Sequence, residues 1–344
     1  MTLTDTSPAA ELGLADGDLQ DLLARMIAAR IYSDRCFALQ RQGRMGTMAP
    51  IDGSEAAVVG TAAALDPETD WVLPQYREYH GLLRFGEETL AAFVRYQRGD
   101  PSGGRLPDDV RVWPPQISLA AQVPQAVGLA WGMKLRGEPG VVVAFFGDGA
   151  TSEGDFYEAG NLAAVVKAPA ILVCNNNQWA ISTPVSKQTA AATFADKATA
   201  FGMPGELVDG CDVLAVRAAV EQARERALDG DGPTLIEAKT YRLGPHTTAD
   251  DPTRYVPAEE LEAARLRDPI DLFRSRLAEA GLWDDDQEEA ACADAVERMD
   301  RLVAAAEAHA PSPDAFFDHV YETPTPRMEK QRRELLAHLR RGEE

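Results

Sequence analysis

Cysteine is scarce and never paired. Cys36, Cys174, Cys211 and Cys292 stand alone in 344 residues, at none of the short spacings that zinc or dithiol redox chemistry requires. Such a set fits a reducing compartment, so a cytoplasmic protein is expected. No apolar run approaches the length of a membrane span, and no membrane partner is expected. The opening stretch from Met1 to Pro8 lacks the basic and apolar segments of a secretory signal. Positive charge is also short: 34 Lys and Arg face 55 Asp and Glu, a net charge of −21, which argues against nucleic acid as a partner. Internal repeats and low-complexity tracts are missing. What is present is a chain that is 45% hydrophobic, enough for a sizeable core in one large α/β domain or two smaller ones.

Two apolar runs carry the strongest local signal. Val141, Val142, Val143, Ala144, Phe145 and Phe146 form the first, and Ala170, Ile171, Leu172, Val173 and Cys174 the second. Both are short and rich in β-branched or bulky residues, as buried parallel strands are. Between them, Phe156, Ala159, Ala163 and Val166 recur at helical spacing, so the unit reads strand–helix–strand. Trp71, Val72 and Leu73 predict another short strand, and Thr234 to Ala238 a fourth. Leu19, Leu22, Leu23, Met26, Ile27 and Ile31 predict a long amphipathic helix with Asp18 as its cap. Residues 99–115, rich in Gly, Pro and Asp, predict a surface loop, and residues 121–135 a small-residue helix. There Gly128 and Gly132 would allow close approach of another helix, inside the chain or in a partner. Residues 1–16 are expected as a flexible tail, 17–320 as the α/β domain, and 321–344 as a helical tail with a basic helix over 327–341.

The first strand runs straight into Gly147, Asp148 and Gly149, and the second into Asn175, Asn176 and Asn177. An acid and an amide therefore sit at the carboxyl ends of parallel strands, where open α/β sheets bind ligands. Those groups suit magnesium and a diphosphate. Magnesium takes six oxygens in a tight octahedron and keeps phosphate and water among them. Asp148 can supply a carboxylate oxygen, Asn177 a side-chain carbonyl, and Trp179 a backbone carbonyl. Gly149 and Ala150 leave backbone N–H groups open to a phosphate, and Arg77 can clamp one by charge-assisted hydrogen bonds. A nicotinamide-binding fingerprint is the rival reading. It needs a third glycine where Ser152 stands, and Asp148 would oppose a pyrophosphate with no cation between them.

Three strings make the chain resemble a known family: residues 147–159 (GDGATSEGDFYEA), 176–189 (NNQWAISTPVSKQT) and 244–255 (GPHTTADDPTRY). They are similar to the alpha subunit of the thiamine-diphosphate-dependent 2-oxo acid dehydrogenase component, over residues 19–283. The resemblance implies a doubly wound parallel sheet with helices on both faces, the diphosphate-binding half of that fold, with thiamine diphosphate and Mg2+ as cofactors. It implies that Tyr76 and Arg77 lie against the cofactor, that Leu119 is the apolar wedge under it with Ile117 nearby, and that His246 contacts diphosphate and assists acyl transfer, which is expected of a histidine that titrates near neutrality and can donate a proton. It also implies a beta subunit in an assembly of two alpha and two beta chains, since the family's cofactor-activating glutamate comes from that subunit. The implied reaction is oxidative decarboxylation of a 2-oxo acid, with acyl transfer to the lipoyl group of an acyltransferase core. The region around Gln75–Glu78 and residues 117–125 resembles branched-chain subunits more than animal pyruvate ones, so a branched-chain 2-oxo acid is the expected substrate and pyruvate the alternative. Five positions depart from the pattern. Asn175 replaces an arginine found in some branched-chain relatives, and Gln116, Ser118 and Ala121 match the family's potassium ligands only in part. Thr247 replaces a regulatory serine without flanking signs of control.

Overall fold

The computed structural model describes residues 13–310, 312–318 and 320–342. Most of the tail expected over 1–16 lies outside these residues. The first element is a helix, α1 (Asp16–Arg41), and its start corrects the expected cap. Ala15 is the capping position, and Asp18 sits in the first turn, where its Oδ2 accepts from the Ala15 N–H at 2.9 Å. A carboxylate there also meets the positive end of the helix dipole. Helix α2 (Glu55–Ala63) packs against α1.

Five parallel strands form the sheet: β1 (Trp71–Leu73), β2 (Val142–Gly147), β3 (Ala170–Asn176), β6 (Gly205–Asp209) and β7 (Thr234–Lys239), in the spatial order β1-β2-β3-β7-β6. A separate two-residue hairpin, β4 (Trp179–Ala180) with β5 (Thr183–Pro184), stands just beyond the end of β3. Side chains alternate across the strands, as a period of two requires. Val143, Phe145, Ile171, Val173, Ile236 and Ala238 face one core, together with α1 and the later helices α7 (Val213–Leu228) and α10 (Asp285–Ala308). Val142, Ala144, Phe146, Leu172, Cys174 and Leu235 face the other, against α4 (Gln122–Arg136) and α5 (Gly154–Val166). Burial on both faces explains why these strands read as unbroken apolar runs. The doubly wound sheet with helices on both faces is thus observed.

Helix α3 (Glu87–Gln97) flanks the loop over 99–115, which is less superficial than its composition predicts. Val110 and Val112 are buried, and Val112 makes a parallel bridge to Val72 of β1. The remaining helices are the short α6 (Ala198–Phe201), then α8 (Ala258–Arg265), α9 (Pro269–Glu279) and the C-terminal α11 (Pro326–Gly342). Asp212 caps α7, accepting from the N–H groups of Leu214 and Ala215 at 3.0 and 3.2 Å, and Asp284 with Gln287 forms a reciprocal capping box on α10. Gly128 and Gly132 do not serve internal packing: a Cβ at either would meet nothing within 4 Å. No described helix is long and apolar enough to cross a membrane, and all four cysteines are free.

Candidate active site

Parallel registration brings four carboxyl ends to one edge. Leu73 pairs with Ala144, Gly147 with Asn175, and Asn176 with Lys239. The loops leaving β1, β2, β3 and β7 therefore open together, and they surround a cleft of about 1140 Å³. Tyr76, Arg77, Ile117, Leu119, Asp148, Gly149, Ala150, Asn177, Trp179 and His246 all line it. These ten residues are thus in one place, from stretches up to 170 positions apart, whereas Gln116, Ser118 and Ala121 are not among those lining the cleft.

Asp148 is only 1% exposed. Burial pushes its carboxyl up from the usual range, against hydrogen bonding from Gln188, whose Nε2 donates to Oδ2 at 2.5 Å. No cation lies within ion-pair distance of Asp148 among the described residues, and the charges of Arg242 and Arg77 act on it only from farther away, after burial and hydrogen bonding. A buried carboxylate in that state calls for a cation. Asn177 Oδ1 accepts from the Trp179 N–H at 3.2 Å, closing a tight turn, and each amide oxygen has a second lone pair to offer. The Trp179 carbonyl accepts from Arg242 Nη1 at 3.0 Å and likewise keeps one lone pair. No group of three or more His, Cys, Asp and Glu side chains suited to a metal occurs among the described residues. One carboxylate, one amide and one carbonyl suit a hard ion that completes its shell with phosphate and water.

Gly149 is required by close approach. A Cβ built there would lie 2.8 Å from the Cβ of Ala180, so the hairpin β4–β5 rests directly on the turn after β2. That turn, Asp148–Ser152, is a short 3-10 helix, and its first N–H groups have no carbonyl of the same turn to meet. Three of the four non-glycine residues with left-handed φ among the described residues surround the same place: Ala120 at 61°, Gln178 at 72° and Ile181 at 54°. Each costs about 1–3 kcal/mol and needs its surroundings to hold it.

Arg242 does part of that holding and was not singled out by the sequence. It is buried after β7 and donates to the carbonyls of Trp179 at 3.0 Å and Ile181 at 2.8 Å, and to the Tyr255 hydroxyl at 2.7 Å. Tyr255 in turn donates to Asp250 Oδ2 at 2.5 Å, which also accepts from the His246 N–H at 2.7 Å. Arginine on a loop is common, so nothing local marked it. Asn175 is committed inside the fold, accepting from Thr240 Oγ1 at 2.8 Å.

Arg77 is buried and points its guanidinium at three acceptors. Nη1 donates to the Pro50 carbonyl at 2.7 Å, and Nη2 donates at 2.8 Å to both the carbonyl and Nδ1 of His246. Two of its five N–H groups remain for an anion. A guanidinium has no acceptor, so Nδ1 must accept and the His246 proton sits on Nε2. Burial, then the charges of Arg77 and Arg242, pull the imidazole down to about 3. This corrects the expectation of a histidine titrating near neutrality: His246 is neutral, an Nε2–H donor. Its ring meets Tyr76 edge-on, with centroids 6.5 Å apart. Ile117 and Leu119 are 54% and 42% exposed, apolar surface presented to the cleft rather than packed in the core.

Comparison with known proteins identifies the family. The family model "Dehydrogenase E1 component" matches residues 24–314. The chain belongs to the dehydrogenase E1 family. That family depends on thiamine diphosphate. Among its relatives, the pyruvate dehydrogenase E1 component subunit alpha of Bacillus subtilis (strain 168) is 46% identical over 301 residues, 87% of this chain and 81% of the relative. The protein of the same name from Staphylococcus aureus (strain MW2) is 48% identical over 276 residues, covering 80% and 74%. That of Bacillus cereus is 46% identical over 295 residues, covering 86% and 79%. As a member of this E1 family the chain is an alpha subunit of a 2-oxo acid dehydrogenase, and such subunits work with a beta subunit and an acyltransferase core.

Proposed function

We propose that this chain is the diphosphate-binding subunit of a pyruvate dehydrogenase, active in an assembly of two alpha and two beta chains that passes its acyl group to a lipoyl-bearing acyltransferase. The observation that carries the reading is the buried carboxylate of Asp148, which has no ion-pair partner among the described residues and lines one cleft with Asn177 and Arg77 where four strands end. Asp148, Asn177 and the Trp179 carbonyl would hold Mg2+, and Gly149, Ala150 and Arg77 would face the diphosphate. Bound thiamine diphosphate supplies the electron sink for loss of carbon dioxide from a 2-oxo acid. The chain's own residues do the rest. Ile117 and Leu119 offer apolar surface to the cofactor's rings. His246, neutral and protonated on Nε2, donates a hydrogen bond to oxygen or sulfur carrying charge as the acyl group moves. Tyr76 walls its ring on one side.

Pyruvate replaces the branched-chain substrate expected from the sequence, because the relatives above are named for pyruvate. The longer substrate keeps one observation in its favour: Met45 and Met48 line the same cleft as Leu119 and add apolar surface to it. A substrate panel on the co-expressed alpha–beta pair decides, comparing pyruvate with 2-oxoisovalerate, 2-oxoisocaproate and 2-oxo-3-methylvalerate. Pyruvate should give the highest kcat/KM. Preference for a branched acid would restore the other reading. Turnover by the alpha chain alone would overturn both.

A further inference from the structure

We propose that Gln188 is a positioning residue that sets the rotation of the Asp148 carboxylate and thereby the preference of the site for magnesium. The inference rests on the reading above that Asp148 is a metal ligand. Gln188 follows the short 3-10 turn Val185–Lys187, after the β4–β5 hairpin. Its Nε2 donates to Asp148 Oδ2 at 2.5 Å and to the Thr183 carbonyl at 3.0 Å. Both partners only accept, which fixes the orientation of the amide: the NH2 end must face them. The carboxylate is thereby pinned from outside its own strand, by a group anchored on the hairpin.

The pin matters because an Asp side chain does not fix its own carboxylate. Its terminal torsion is broad, and rotation moves both oxygens. Gln188 holds Oδ2 and leaves Oδ1 to a cation. Magnesium requires near-ideal octahedral geometry at about 2.0–2.1 Å, whereas calcium accepts looser arrangements at about 2.3–2.6 Å. A fixed carboxylate therefore favours the smaller ion. The Gln188 Oε1 is buried and has no donor in the protein. It is an acceptor suited to a water on the metal. Groups that orient a metal's ligands typically change metal affinity by about 10–100-fold when removed.

The test is calorimetric titration of Mg2+ and Ca2+ into the alpha–beta complex in the presence of thiamine diphosphate, for the wild type, Gln188→Met and Asp148→Ala. Methionine keeps the length and loses the donor. Gln188→Met should weaken Mg2+ by about 10–100-fold and Ca2+ far less, so the selectivity ratio falls. Unchanged Mg2+ affinity overturns the proposal, as does an equal loss for both ions, which a merely packed loop would give. If the Met variant does not assemble, Gln188→Asn, one methylene short, should move the ratio the same way by less. No movement overturns the proposal there too. Asp148→Ala separates the two ideas: should it retain Mg2+ binding, the metal-site reading itself fails, whatever Gln188 does.

Discussion

Arg77 Nη2 donates to His246 Nδ1 at 2.8 Å, and this one contact decides the tautomer of the histidine. With Nδ1 accepting, the proton lies on Nε2, and burial, then the charges of Arg77 and Arg242, pull the pKa down to about 3, so the ring is neutral near pH 7. The sign for stability follows. An unfolded histidine gains its proton near pH 6.5, the buried one only near 3, so His246 costs nothing above about pH 6.5 and opposes folding as pH falls from there.

From this we expect ¹⁵N spectra of the alpha–beta complex to show His246 as a neutral Nε2–H imidazole from pH 5 to 8. His246→Ala should lower lipoyl-transfer activity by about a hundredfold, the typical cost of losing one donor to developing charge. His246→Gln, which keeps a neutral donor, should retain more. Cofactor must be saturating in both assays. A histidine that titrates near neutrality, or a Gln variant no better than Ala, would contradict a neutral donor.

The approach of Ala180 to Gly149 gives a second expectation. Gly149→Ala places a methyl 2.8 Å from the Ala180 methyl, so the hairpin must move or the turn must open. The variant should lose about 1–3 kcal/mol of stability, as overpacked sites do, and bind thiamine diphosphate more weakly. Adding Ala180→Gly should recover most of both losses. Melting curves and cofactor titration of the single and double variants measure it, and no recovery would mean the contact is not what excludes a side chain.

Arg242 carries a third. Arg242→Met removes the donor that joins the Trp179 and Ile181 carbonyls and leaves both unmet. Hydrogen bonds to a charged group contribute about 1.5–3 kcal/mol each, so a loss of several kcal/mol is expected, concentrated in the hairpin. Hydrogen exchange should quicken across residues 178–184 and 246–255 before it does in β2 or β3. Uniform acceleration across the sheet would instead mark Arg242 as a general core residue.

The framework was legible because its signals are local. The runs before Gly147 and Asn175 announce two buried strands, and the acid and amide that follow announce the site. What stayed hidden depends on pairs far apart in the chain. Gln188 reaches Asp148 across 40 residues, and Arg242 reaches Trp179 across 63. No spacing rule marks such partners. Asp18 was placed on the right helix but in the wrong role, because Ala15 is a cap that no sequence preference favours. Val110 and Val112 were hidden by the Gly, Pro and Asp around them. The protonation of His246 was misjudged for a related reason: its loop neighbours are polar, but the groups that depress it, Arg77 and Arg242, lie on other segments.

The alternation along β2 reaches beyond the core. Val142, Ala144 and Phe146 face one layer, Val143 and Phe145 the other, and Asp148 opens the turn directly after the strand's last residue, Gly147. Deleting a single residue from β2 would exchange the two faces and turn the carboxylate away from Asn177, although every functional side chain would still be encoded. The interior of the sheet thus works as an aiming device: the hydrophobic residues that never touch a ligand decide the direction in which the acid points.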